Sequence, residues 1–199
     1  MRLIGLTGNI ACGKSKISAY LKEHGFKIID ADSLGKIILS REEVKNKVVR
    51  TFGKEILKDD FIIDRKKLGN IVFSSKENLE KLNRITLPPL TKLVKTKIRE
   101  LKRKKVKYGV LDAAILIEAM WDRFVHEVWV VYAKPEVQLE RLMKREDFTK
   151  EEALNRINAQ MPIEEKIKRA DVVIDNSGDW EETKKQVDKA LKRFLEDET

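Results

Sequence analysis

Residues 8–15, Gly8-Asn9-Ile10-Ala11-Cys12-Gly13-Lys14-Ser15, set two glycines, a lysine and a hydroxyl at the spacing G-x-x-x-x-G-K-[ST]. The glycines let the backbone turn with its N–H groups facing inward around a polyanion. The lysine adds a cation, and the hydroxyl adds an oxygen ligand for a divalent metal. The chemistry this fits is the binding of a triphosphate such as ATP. Lys14 bridges the β- and γ-oxygens, and Ser15 ligates Mg²⁺. The nucleotide-binding set expected from the loop is Gly8, Ala11, Cys12, Gly13, Lys14, Ser15 and Lys16. Cys12 lies by a helix amino end and Lys14, where a thiolate is favoured. Of its two readings, a reactive thiol and a small residue that fits, the second is preferred.

Such a loop serves kinases, GTPases and motor ATPases alike, so other residues must say where the terminal phosphate goes. In "IIDADSLG", Asp32-Ser33-Leu34-Gly35 fits the common D-x-x-G pattern, but no Asn-Lys-x-Asp follows to read guanine. Asp30 and Asp32 fall instead at the carboxyl end of a strand-like segment. In a parallel sheet that end lies beside the phosphate loop. A carboxylate there accepts a proton from an attacking hydroxyl. Its alternative role is to cap the helix beginning near Ser33; the catalytic role is preferred for Asp32, and the two are compatible.

These side chains need a frame. Leu3–Leu6 is apolar and ends at the glycines; Ile17, Tyr20, Leu21 and His24 follow at helical spacing, and "FKIID" reads as a second strand. Strand, loop, helix and strand make a βαβ unit with a parallel sheet. Residues 33–105 look mostly helical. Ser40 with Glu43 and Ser74 with Glu77 predict capping boxes, Asp64 predicts a cap before Arg65, and Pro88-Pro89 predict the start of a helix to about Lys105. Strand character returns in "KYGVLDAAILI", "HEVWVVYA" and "DVVID". Helices are expected from Pro135 through Arg145, from the Thr149–Glu152 box, and from the Asp179–Glu182 box.

The chain has 199 residues, 42% of them hydrophobic, enough for one well-buried core with attachments. No apolar run nears the roughly 20 residues of a membrane span. Met1-Arg2-Leu3-Ile4 is not read as a signal segment. One cysteine precludes an intrachain disulfide and suits a reducing cytoplasm. The net charge of +9 calls for a polyanionic partner, either a phosphorylated small molecule or nucleic acid. The basic run "KLVKTKIRELKRKKVK" is read as the solvated face of a helix in preference to an RNA surface. His24 and His126 have no metal-ligand spacing with Cys12.

Taken together, "IGLTGNIACGKS", "IIDADSLG", "LDAAILIE", "QLERLMKRE", "EEALNRINAQM" and "RADVVIDNSG", in this order over nearly the whole chain, resemble the dephospho-CoA kinase family of P-loop folds. The resemblance implies a three-layer α/β fold with a parallel sheet of about five strands, a helical substrate-binding insertion and a helical lid. It assigns residues 1–32, 106–134 and 170–199 to the nucleotide-binding core, 33–105 to the acceptor-binding insertion and 135–169 to the lid. It implies transfer of the ATP γ-phosphate to the ribose 3′-hydroxyl of dephospho-CoA. Asp32 matches the general base, Lys14 the triphosphate contact, and Ser15 with Asp112 the magnesium contacts.

On the lid, Arg141 and Arg145 share a helix face and neutralise developing charge; surface pairing with Glu140 or Glu146 is their alternative. Gln160, Arg169 and Asn176 match polar contacts near the lid and adenine, and Glu118 matches a carboxylate of unassigned role. The chain departs from the family at Asn9, Cys12, Leu87 and Ala114; Leu87 stands where a histidine is usual, which bears on how the acceptor is held. The alternatives to this activity are another small-molecule kinase or a nucleotide-dependent RNA-binding regulator. Oligomeric state has no signature here.

Overall fold

The computed structural model describes residues 1–146 and 148–196, with the side chains of 145 and 146 outside the described set. Among them the elements run β1 (Arg2–Gly8), α1 (Lys14–Glu23), β2 (Lys27–Asp30), α2 (Ala31–Ser40), α3 (Glu42–Phe52), α4 (Arg65–Phe73) and α5 (Lys76–Arg103). There follow β3 (Tyr108–Asp112), β4 (Glu127–Tyr132), α6 (Pro135–Glu146), α7 (Lys150–Asn158), α8 (Ile163–Ile167), β5 (Val172–Asp175) and α9 (Trp180–Glu196). They form two compact units: Met1–Ile29 with Leu101–Thr199, and Asp30–Glu100. The arm α6–α7 belongs to the first.

The first unit is built on a five-stranded sheet of order β2-β3-β1-β4-β5. β1 is central and runs parallel to both neighbours, Leu6 facing Asp112 on β3 and Gly8 facing Val131 on β4. Its residues 3–8 are all buried, as a strand covered on both faces must be. One face meets Ile17 and Leu21 of α1 and Val187, Leu191 and Phe194 of α9. On the other, Leu3 approaches Gly109 beside Leu101, and Gly5 lies so close to Leu116 that a Cβ would come within 2.7 Å of it. Three layers result, with the loop after β1 and the end of β3 at one edge.

In the second unit, Val44, Val48 and Phe52 of α3, and Leu90, Val94 and Ile98 of α5, are buried at four-residue steps. Asp64 caps α4 as expected, accepting from the N–H groups of Lys66 (2.9 Å) and Lys67 (3.2 Å). Two other expectations fail. Pro88 and Pro89 lie inside α5, which begins a dozen residues earlier. Their missing N–H groups remove only the bonds to two carbonyls one turn back, and the helix persists because its apolar stripe stays packed. The Ser40–Glu43 and Ser74–Glu77 boxes do not form. Ser40 bonds back to Ile37 O, Glu43 pairs with Lys47, and Ser75 takes the capping position before α5. A hydroxyl ending one helix bonds to that helix's last carbonyls as readily as it opens the next. In the first unit the Thr149–Glu152 box forms with both reciprocal bonds.

Candidate active site

The loop between β1 and α1 is shaped by steric demands that glycine meets. Gly13 has φ 92°, and a Cβ there would run into the Asn176 side-chain amide. A Cβ on Gly8 would strike Val131 O and come within 2.7 Å of Cys12 Sγ. Ala11 takes a left-handed φ of 61°, uncommon for a residue with a Cβ. Such strain persists when the surroundings over-determine the backbone, and here they do.

Three side chains brace the loop from outside, and one of the loop's own reaches outward. Asn176, just past β5, donates from Nδ2 to Cys12 O at 2.7 Å while its Oδ1 accepts from Thr183 Oγ1 at 3.0 Å. Gln138 of α6 donates to Ile10 O at 3.0 Å, Gln160 accepts from Ile10 N–H at 2.6 Å, and Asn9 donates to Met161 O at 3.3 Å. The Asn176 amide is thus committed to holding the loop. Arg141 donates to the Asn176 carbonyl at 2.9 Å and comes close to Gly13, its Nη1 lying 3.8 Å from where a Cβ would sit. These contacts point Arg141 toward the loop; its alternative pairing with Glu146 lies outside the described side chains.

Inside the loop, Lys14 Nζ is ion-paired with Asp112 Oδ1, both side chains about nine-tenths buried. β1 and β3 are neighbours, so the end of β3 delivers a carboxylate to the first residue of α1. Ser15 follows in the same turn. Lys16 sends its ammonium 4.3 Å over the Trp180 ring, and its backbone N–H bonds to Gly13 O. The buried Cys12 thiol is pushed up to about 11 by desolvation, which outweighs the Lys14 N–H and the Lys14 and Lys166 charges that favour a thiolate. Burial thus outweighs the helix-end effect that favours a thiolate.

Beneath the end of β3, Lys166 of α8 is fully buried and donates to Ala114 O at 2.7 Å, a carbonyl that also accepts from Thr7 Oγ1 at 3.2 Å. Its ammonium lies 2.9 Å from Glu118 Oε1, an ion pair out of line for a hydrogen bond. Glu118 thus neutralises a buried lysine. Arg169 pairs with Asp122 at 3.4 Å.

In the other unit, Asp30 supplies the helix cap, accepting from Ser33 N–H (2.8 Å) and Ser33 Oγ (2.6 Å). Asp32 is exposed in the first turn of α2. Arg145 lies on α6 with its side chain outside the described set.

A family model described as dephospho-CoA kinase matches residues 2–182. The chain belongs to the dephospho-CoA kinase family. A dephospho-CoA kinase from Carboxydothermus hydrogenoformans is 51% identical over 193 residues, covering 96% of this chain and 94% of that protein. A solved dephospho-CoA kinase from Campylobacter jejuni superposes with a TM-score of 0.71 at 28% identity, covering 100% of both chains. A solved protein from Thermus thermophilus reaches a TM-score of 0.77 at 34% identity, covering 100% of this chain and 98% of that one. This family member is thus an ATP-dependent kinase with the α/β P-loop architecture. Among the described residues no helix is long and apolar enough to cross a membrane.

Sequence reasoning missed Gln138, Lys166 and Thr183 in this kinase site. Gln138 left a signal, since it precedes Leu142 by four and so puts an amide on the buried stripe of α6. Lys166 left none, because its run "PIEEKIK" reads as a solvated surface.

Proposed function

We propose that the chain transfers the γ-phosphoryl group of ATP to the ribose 3′-hydroxyl of dephospho-CoA, giving CoA and ADP, the last step of CoA assembly. The observation that carries this reading is the buried Lys14–Asp112 pair inside a braced G-x-x-x-x-G-K-S loop. It sets a cation for the β- and γ-phosphates against a carboxylate for their metal ion.

The donor set suits magnesium arriving with the nucleotide. Mg²⁺ keeps most of its waters and takes one or two protein oxygens besides phosphate; Ser15 Oγ and Asp112 supply that number. Consistent with this, the described residues contain no cluster of three or more His, Cys, Asp or Glu side chains able to hold a metal. Magnesium supplies neutralisation of the phosphate oxygens; the rest is done by the chain.

Asp32 accepts the proton of the 3′-hydroxyl as its oxygen forms the new bond to the γ-phosphorus. The bond from that phosphorus to the β–γ bridging oxygen breaks, and ADP leaves with the electron pair. Lys14 leaves Asp112 to follow the charge moving onto the leaving oxygen. Arg141 and Arg145 on the 135–169 lid neutralise the transferring group, and the helical insertion 33–105 receives the acceptor. The main-chain amides of residues 8–16 hold the triphosphate, and Asn176 keeps their cradle in shape. A single buried cysteine suits work in a reducing cytoplasm.

The test is incubation with ATP, Mg²⁺ and a panel of dephospho-CoA, nucleoside monophosphates and nucleosides, with products identified by mass. Formation of CoA with equal ADP supports the reading. Phosphorylation of a nucleoside or nucleotide with dephospho-CoA untouched replaces it with the alternative small-molecule kinase.

A further inference from the structure

Ile10 stands midway along the phosphate loop, and both polar groups of its backbone are held by side chains from opposite stems of the α6–α7 arm. Gln138, near the start of α6 and only 5% exposed, donates from Nε2 to the Ile10 carbonyl; Gln160, just beyond α7, accepts at Oε1 from the Ile10 N–H. Asn9 Nδ2 ties the second stem again at Met161 O. The partners fix both amide orientations. A carbonyl only accepts, so Gln138 must present its NH₂; an N–H only donates, so Gln160 must present its oxygen.

Two stems meeting on one residue make a mechanical link. Any shift of the arm relative to the sheet pulls on Ile10, and any change of loop shape pulls on both stems. Arg141 follows Gln138 by three residues on α6 and already bonds to the Asn176 carbonyl beside the loop. Packed, hydrogen-bonded elements transmit such displacement because they have few alternative arrangements.

We propose that Gln138 and Gln160 are positioning residues that couple the arm to the phosphate loop through Ile10, so that filling the loop with nucleotide orders the arm and Arg141 with it. This rests on the nucleotide-binding reading of the loop. It adds that the arm's response to nucleotide runs through two identifiable hydrogen bonds, one needing a donor and the other an acceptor.

That asymmetry provides the test. Gln138→Glu and Gln160→Glu add the same charge at neighbouring places, so repulsion of the triphosphate and general destabilisation are shared. Glutamate at 160 keeps an acceptor for the Ile10 N–H, whereas glutamate at 138 has no donor for the Ile10 carbonyl. Amide hydrogen exchange across residues 150–158 of the full chain, with and without a saturating non-hydrolysable ATP analogue, reads the coupling; calorimetry reads the affinity itself.

Gln160→Glu should retain the nucleotide-induced protection of the arm. Gln138→Glu should lose it and show kcat about tenfold below Gln160→Glu. Gln138→Met and Gln160→Met, which lack both groups and add no charge, should each lose the protection while still binding the analogue. Equal protection in all four variants, or parallel loss in the two glutamate variants, overturns the proposal. Failure of the unmodified chain to bind the analogue overturns instead the nucleotide reading on which it rests.

Discussion

Lys14 Nζ and Asp112 Oδ1 form a largely buried ion pair that joins the first residue of α1 to the last residue of β3. Its two residues stand 98 apart in the chain and meet because β1, which leads into α1, is the sheet neighbour of β3. Each charge neutralises the other where solvent is scarce. Both groups are then already in place for a phosphate and its metal.

Removing one partner should therefore harm folding as well as catalysis. Asp112→Asn and Lys14→Met each take this partner from a poorly solvated charge and should lower unfolding free energy by about 1–3 kcal/mol. The double variant, with both charges gone, should regain most of that stability while kcat stays lower on the order of a hundredfold or more. Denaturant titration and turnover on the same samples check this. A double variant no more stable than the singles would show that the pair does not act as a unit.

Asp32→Asn should bind ATP with nearly unchanged affinity and lose about 10²–10⁴ in turnover, because an amide cannot take the hydroxyl proton. Calorimetry with the ATP analogue and single-turnover transfer to dephospho-CoA separate the two effects. Near-normal transfer would remove Asp32 from the base role.

Cys12 should be a slow thiol. Its shift from 9.0 to about 11 leaves about a hundredfold less thiolate at neutral pH than an unperturbed group, and burial denies access besides. Alkylation by iodoacetamide should follow loop opening, be slowed further by bound ATP, and abolish nucleotide binding once complete. Rapid labelling of the folded chain would contradict the buried placement, and unchanged ATP affinity after full labelling would count against the loop itself.

Gly13→Ala should cost about 1–3 kcal/mol and weaken ATP binding, since the left-handed backbone and the Asn176 amide both resist a Cβ. Combining it with Asn176→Ala should relieve the clash but not the backbone strain. A partial recovery of the thermal midpoint is the expected outcome.

His126 gives the fold an acid-sensitive point. Its Nδ1 accepts from the Leu3 N–H at 3.0 Å, which requires the neutral ring, and desolvation with nearby positive charge holds its pKa below the usual 6.5. The unfolded chain then binds the proton more readily, so this contribution is complete above about pH 6.5 and declines as pH falls from there toward the lowered folded-state value. His126→Ala should lower the thermal midpoint at neutral pH and flatten its decline on acidification. An unchanged acid slope would show that other groups carry it.

Much of this kinase was legible in its residue order. Gly8 to Ser15 announced the phosphate cradle because the spacing and the glycines are themselves the mechanism: a backbone that must turn around an anion leaves a local signature. The five strands were visible as short apolar runs, and Thr149–Glu152 and Asp64 as caps, because each depends on neighbours within a turn of chain. Pro88-Pro89 misled because packing of a long apolar stripe outweighed local preference, and the boxes at Ser40 and Ser74 because each hydroxyl bonds back to the helix it ends.

The tertiary structure alone decided which carboxylate reached Lys14, since Asp112 comes to it only through the pairing of β1 with β3. It alone committed Asn176 to the Cys12 carbonyl and set the Cys12 thiol in a buried place, because desolvation depends on everything packed around a group and not on the two residues beside it. Gln138 and Lys166 gained their roles in the same way. A single amide or ammonium in a helix carries no mark of its partner until folding brings a distant backbone group within reach.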